Sequence, residues 1–99
     1  MSFTTKIKEV ESEFDGIYRI TCENGLILDI PEDKKPLIGS RFEYKINATN
    51  DPIYFTTMMN GIIFDVSDTN ILVSFGGLLG NIPLIEASLG NISLSYKIE

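Results

Sequence analysis

Tyr18-Arg19-Ile20-Thr21-Cys22-Glu23-Asn24-Gly25-Leu26-Ile27-Leu28-Asp29-Ile30 is the stretch on which the fold turns. Apolar residues recur at every second position on either side of Glu23-Asn24-Gly25, the pattern of a half-buried hairpin. Two registers compete. A two-residue turn sets Cys22 against Ile27 and Ile20 against Asp29, which mixes apolar and charged side chains on one face. A three-residue loop pairs Cys22 with Leu26, Ile20 with Leu28 and Tyr18 with Ile30, six apolar side chains together. A slip of one residue sends the whole set to the opposite face, so burial selects the three-residue loop. Gly25 then takes the left-handed position that ends such a loop.

The same alternation extends outward in both directions. Phe42, Tyr44 and Ile46 alternate with Arg41, Glu43 and Lys45. At Ser67-Asp68-Thr69-Asn70 a four-residue loop pairs Val66 with Ile71, Phe64 with Val73 and Ile62 with Phe75. Leu79-Gly80-Asn81-Ile82 and Leu89-Gly90-Asn91-Ile92 repeat one short pattern, and each Gly-Asn suits a tight turn. Glu32 to Ile38 reads as a charged loop, Asn47 to Pro52 as a polar linker, and Ile82 to Leu89 as either a strand or a short helix. Pro31, Pro36, Pro52 and Pro83 would interrupt any long helix. The expectation is an all-β chain, a single antiparallel barrel of seven or eight strands over residues 1–99.

Composition narrows the function. With 43% hydrophobic and 22% charged residues the chain is globular. It holds no His and one Cys, Cys22, which excludes zinc fingers, His-based triads and an internal disulfide. Met1 to Val10 has no apolar run, and no stretch approaches a membrane span, so the expected location is cytoplasmic with no membrane contact. Lys and Arg number 8 against 14 Asp and Glu, for a net charge of −6. Phosphate backbones are held by clustered cations, so direct nucleic-acid binding is not expected.

No catalytic, cofactor or metal constellation emerges. Glu9, Glu11 and Glu13 lie at period two, which fits a solvated strand face. Asp65 and Asp68 flank a turn whose amides they are placed to accept. Gly76, Gly77 and Gly80 lack the Lys-Ser/Thr or helix-opening context of a phosphate loop, and read instead as a strand bent or bulged by glycine. Cys22 falls on the apolar hairpin face, and Met58-Met59 is split between core and surface. Tyr18, Phe42, Tyr44, Tyr54 and Phe55 contain enough aromatic surface for a base-stacking platform, but without the cationic groove such platforms need.

From Met58 onward the chain resembles one family. Met58-Met59-Asn60-Gly61-Ile62-Ile63-Phe64, followed by Leu72-Val73-Ser74-Phe75-Gly76-Gly77-Leu78-Leu79, is similar to the common subunit eight of eukaryotic RNA polymerases and to its archaeal counterpart. Tyr18-Arg19-Ile20 and Leu28-Asp29-Ile30 stand where the family has similar triplets, and Ile92 to Ile98 matches its closing apolar strand. The short Asn47 to Pro52 segment, where eukaryotic members carry an extended loop, agrees with an archaeal form. Gly80-Asn81 departs from the basic residue the family places after this strand. The resemblance implies a barrel of the oligonucleotide-binding type and a non-catalytic subunit of DNA-directed RNA polymerase that docks on the largest subunit and supports its assembly or stability. A stand-alone module that binds single-stranded nucleic acid or another protein is the alternative.

The expected core is Tyr18, Ile20, Leu28, Ile30, Phe42, Tyr44, Phe64, Val73 and Phe75. The expected partner-binding residues are Gly76, Gly77, Leu78 and Leu79. The two glycines either admit another backbone or let the strand bulge. In regular geometry the two leucines point to opposite faces and one is an exposed anchor, whereas a bulge would bury both.

Overall fold

A computed structural model describes residues 2–47, 54–83 and 87–99, and every regular element among them is a strand. In chain order these are β1 (Ser2–Phe14), β2 (Ile17–Cys22), β3 (Ile27–Pro31), β4 (Arg41–Ile46), β5 (Thr57–Val66), β6 (Asn70–Phe75), β7 (Leu78–Pro83) and β8 (Gly90–Ile98). All eight join one antiparallel sheet that closes on itself in the order β1-β2-β3-β7-β6-β5-β8-β4. This ring is compatible with a barrel of the oligonucleotide-binding type. No helix among the described residues is long and apolar enough to cross a membrane.

The β2–β3 hairpin has the register that burial favours: Tyr18 faces Ile30 and Ile20 faces Leu28. The Cys22 amide donates to the Leu26 carbonyl at 2.8 Å, and Gly25 sits at φ +98°. Asn24 holds the loop by accepting the Leu26 amide at 3.1 Å. β1 is long enough to serve two neighbours, Ser2–Lys6 lying along β4 and Ile7–Phe14 along β2. A register shift between Ile7 and Glu9 bends it from one to the other. There Ile7 bonds the loop before β4, its amide donating to Ser40 and its carbonyl accepting from Gly39.

Inside the ring Ile20, Leu28, Ile30, Phe42, Tyr44, Val73 and Phe75 are buried, and Tyr18 is half-buried against them. Phe64 is not in the core: it is 52% exposed. Val66 faces Ile71 as expected, but a bulge then inserts one residue, so that Ile63 rather than Phe64 faces Val73 and Ser74 rather than Phe75 faces Ile62. One extra residue inverts the parity of everything before it. Ile63 is therefore buried, while Ile62 and Phe64 turn outward.

The glycines also differ from expectation. Gly76 and Gly77 do not bend a continuous strand; they are the two-residue turn between β6 and β7, with φ of +62° and +100°. Positive φ at both central positions is the primed turn whose twist matches a hairpin, and glycine reaches it without strain. Neither Gly-Asn pair makes a turn. Gly80-Asn81 lies within β7 and Gly90-Asn91 opens β8. In the β5–β6 turn the amides of Thr69 and Asn70 donate to Ser67 Oγ at 3.3 and 3.2 Å, a role expected of Asp65 and Asp68. Ile82 and Pro83 end β7 and Ala87–Leu89 has no regular structure, while residues 84–86 and the linker residues 48–52 lie outside the described ones.

Cys22 is fully buried and has no disulfide partner, and desolvation pushes its thiol up to about 12. We expect the folded chain to resist alkylation at neutral pH and to react only once unfolded, as mass spectrometry with and without urea would reveal. The raised value also sets a direction for stability. The unfolded thiol ionises near its ordinary value of 9.0 while the folded one keeps its proton. The contribution is complete below that value and is lost as pH rises toward about 12. Loss of stability between these limits should shrink in Cys22→Ala.

Candidate interaction surface

The Gly76-Gly77 turn sets Phe75 opposite Leu78 and Ser74 opposite Leu79. The Gly77 amide donates to Ser74 Oγ at 3.3 Å, which ties the turn to β6. Leu78 shares the inward face of Phe75 and packs half-buried against the core, whereas Leu79 points outward and is 47% exposed. Regular geometry thus separates the two leucines, and neither is drawn in by a bulge. At Gly76 and Gly77 the space a side chain would fill is open. A valine at Gly77 would strain the turn before it met a partner, so Leu79→Ser is the cleaner probe of this hairpin.

Register carries the surface beyond the hairpin. Ile62, Ser74 and Leu79 form one row across β5, β6 and β7, with Leu72 facing Asp65 and Asn81 in the next. Directly opposed residues on such rows stand about 5 Å apart. Ile62 is 58% exposed, so Ile62, Phe64 and Leu79 rise from one sheet face around the half-buried Leu72. Strict alternation misses Ile62 and Phe64 as surface residues because it cannot register the bulge. A signal does exist: Ile62-Ile63-Phe64 is apolar at both parities, so some of it has to face outward.

Leu79 also touches a carboxylate. β3 and β7 pair only through Ile27 with Asn81 and Leu28 with Gly80. Beyond them the Leu79 amide donates to Asp29 Oδ2 at 2.9 Å, a side chain standing in for the missing backbone acceptor. Arg19, opposite Asp29 on β2, donates through Nε at 2.7 Å and Nη2 at 3.2 Å, and this bond raises the Arg19 pKa. Removing a buried acceptor costs about 1–3 kcal/mol for the donor left behind. Asp29→Ala should lose that much in urea unfolding and speed amide exchange at Leu79, with Asp29→Asn retaining part of the bond.

Charge divides the ring. From Ile46 to Tyr96 the chain has no Lys or Arg. The outer face of β1, β4 and β8 is where cations gather: Lys6 faces Arg41, and Glu43 faces Lys97. Arg41 is bound to Glu43 and lies 3.5 Å from Glu99, which Lys97 meets at 2.7 Å. Lys97 also sits 3.8 Å above the Tyr54 ring. The hydrogen bond from the Tyr54 hydroxyl, and then the Arg41 charge, hold the Glu43 carboxyl below its usual range.

The remaining sequence candidates do not assemble. Phe42 and Tyr44 are buried in an aromatic cluster with Phe3 and Tyr96, while Tyr54 and Phe55 meet edge to face elsewhere. The five aromatics therefore form no common platform. Glu9 and Glu11 are exposed, and Glu13 lies 3.5 Å from Arg19. Among the described residues no three His, Cys, Asp or Glu side chains are grouped so as to hold a metal ion. Comparison with protein-family models and with curated proteins found no match to this chain.

Proposed function

We propose that the chain is a non-catalytic subunit of DNA-directed RNA polymerase, akin to the eukaryotic common subunit eight and its archaeal counterpart, docking on the largest subunit and supporting the assembly or stability of the enzyme. One observation carries this reading. The two segments that resemble the family, Met58–Phe64 and Leu72–Leu79, fall on β5, β6 and the start of β7, where Ile62, Phe64 and Leu79 are exposed together. An exposed apolar face of this kind is suited to a protein partner. The charge of −6 fits a subunit that touches protein rather than DNA.

Copurification tests it. A tagged full-length chain expressed in its native cells should bring down the two largest polymerase subunits in stoichiometric amounts, and their absence would refute the proposal. The ring's compatibility with an oligonucleotide-binding barrel favours a second reading, direct binding of single strands. That reading requires an affinity for an oligonucleotide that falls steeply with salt. We expect no measurable binding, since Arg41 and Lys97 are already engaged by Glu43 and Glu99.

A further inference from the structure

We propose that the outer face of β5, β6 and β7 seats a protein surface that is apolar at its centre and carries Lys or Arg around its rim. This rests on the docking reading above and deepens it, by assigning the face and the chemistry of what covers it.

Three observations lead there. Ile62 and Phe64 on β5 and Leu79 on β7 are large apolar side chains, each about half exposed or more, with Ser74 of β6 lying between Ile62 and Leu79 in one cross-strand row. Neighbouring exposed apolar groups of this size mark a binding surface, whereas single ones need no explanation. Second, β6 is paired on both sides along its length, and where β7 leaves β3 the Leu79 amide is already taken by Asp29, so the centre of this face offers no open edge for an added strand. Recognition must use the side chains standing on the face. Third, no Lys or Arg occurs anywhere from Thr57 to Pro83, while Asp65 lies beside Phe64 and Asp68 is in the next turn. An apolar patch with an anionic rim is complementary to an apolar patch with a cationic one.

The same charges decide against the other occupants. A two-fold pair of this chain would bring the patch against itself, offering no Lys or Arg from either copy's Thr57 to Pro83 to Asp65 and Asp68 and setting −6 against −6. A nucleic-acid strand would meet carboxylates and no cation.

The test uses the full chain and two probes: the largest RNA polymerase subunit, and a synthetic peptide of alternating leucine and lysine, with a leucine–glutamate peptide as control. The wild-type chain should bind the subunit and the leucine–lysine peptide, and the peptide should shift the amide resonances of Ile62, Ser74 and Leu79. Phe64→Ser combined with Leu79→Ser should weaken both interactions about thirty-fold, the scale of interface anchors. Because both side chains are exposed, its melting temperature should stay close to wild type. Asp65→Lys with Asp68→Lys should weaken binding about tenfold at low salt and less at high salt. Lys6→Ala, on the opposite side of the ring, should change neither.

The proposal is overturned if the Phe64/Leu79 variant, folded, still binds the subunit as wild type does; the polymerase reading would then survive alone. It is equally overturned if the leucine–glutamate peptide binds as well as the lysine one, or if the chain forms a dimer that Leu79→Ser disperses. Failure to bind the polymerase subunit, with peptide binding still confined to Ile62, Ser74 and Leu79, would remove the polymerase reading and leave the surface assignment supported.

Discussion

Phe75→Ala should lower the unfolding free energy by about 3–5 kcal/mol, a large share of what holds a small domain together. Phe75 is 5% exposed, and its ring occupies the space that two glycines leave on the flanking strands. A Cβ at Gly61 on β5 would lie 2.6 Å from its Cδ1, and one at Gly80 on β7 would lie 3.0 Å from its Cε2. The ring thus substitutes for side chains that neither neighbour has. Its removal leaves a cavity walled partly by bare backbone, with no flexible group at Gly61 or Gly80 to collapse into it, which points to the upper part of the range. Urea titration should show a lower midpoint at an unchanged slope. A loss under about 1 kcal/mol would mean the ring does not fill this space.

Gly61→Ala is expected to destabilise by about 3 kcal/mol or more, at or beyond the upper end of ordinary overpacking. The sign is informative, because replacing a strand-interior glycine by alanine normally gains about 0.5–1 kcal/mol from the unfolded state. Here the new methyl would stand 2.6 Å from the Ser74 carbonyl oxygen as well as 2.6 Å from Phe75. An aromatic ring can tilt, but a carbonyl in the neighbouring strand moves only with its ladder. Combining Gly61→Ala with Phe75→Leu should therefore recover part of the loss and not all of it, a coupling that a double-mutant cycle measures. Gly80→Ala is the control. Its methyl would meet only side chains, Phe75 at 3.0 Å and Leu28 at 3.1 Å, and should cost less. Equal losses at the two sites would refute this account.

Particular elements show how far local pattern reaches. Around Gly25 the hairpin is legible because one register alone puts Tyr18, Ile20, Cys22, Leu26, Leu28 and Ile30 on a common face, and the observed pairing is that one. Around Ser67 the same reasoning places Val66 against Ile71 and fails two residues later. The β5 run Ile62-Ile63-Phe64 offers apolar side chains to either face, so alternation cannot detect the inserted residue. Of the expected interface, Leu79 is legible as one of two leucines obliged to point apart. Ile62 and Phe64, two strands away on β5, are not, since they depend on that bulge. Gly76-Gly77 reads as a bend because the strand after it, Leu78–Pro83, contains Gly80-Asn81 and looks like another turn.

Period-two alternation and turn residues are local, and with the summed charge of −6 they are enough for an acidic all-β chain of short antiparallel strands. Each depends only on residues a few positions apart, whose apolar set is buried in one register and exposed in the next. Closure of the sheet, the inward turn of Ile63 and the hold of Asp29 on Leu79 come from residues far apart in sequence. They follow from competition between alternative pairings in space, where a bare glycine at 61 or 80 is favourable because the Phe75 ring fills the space beside it. That balance exists in the packed ring and in no segment taken alone.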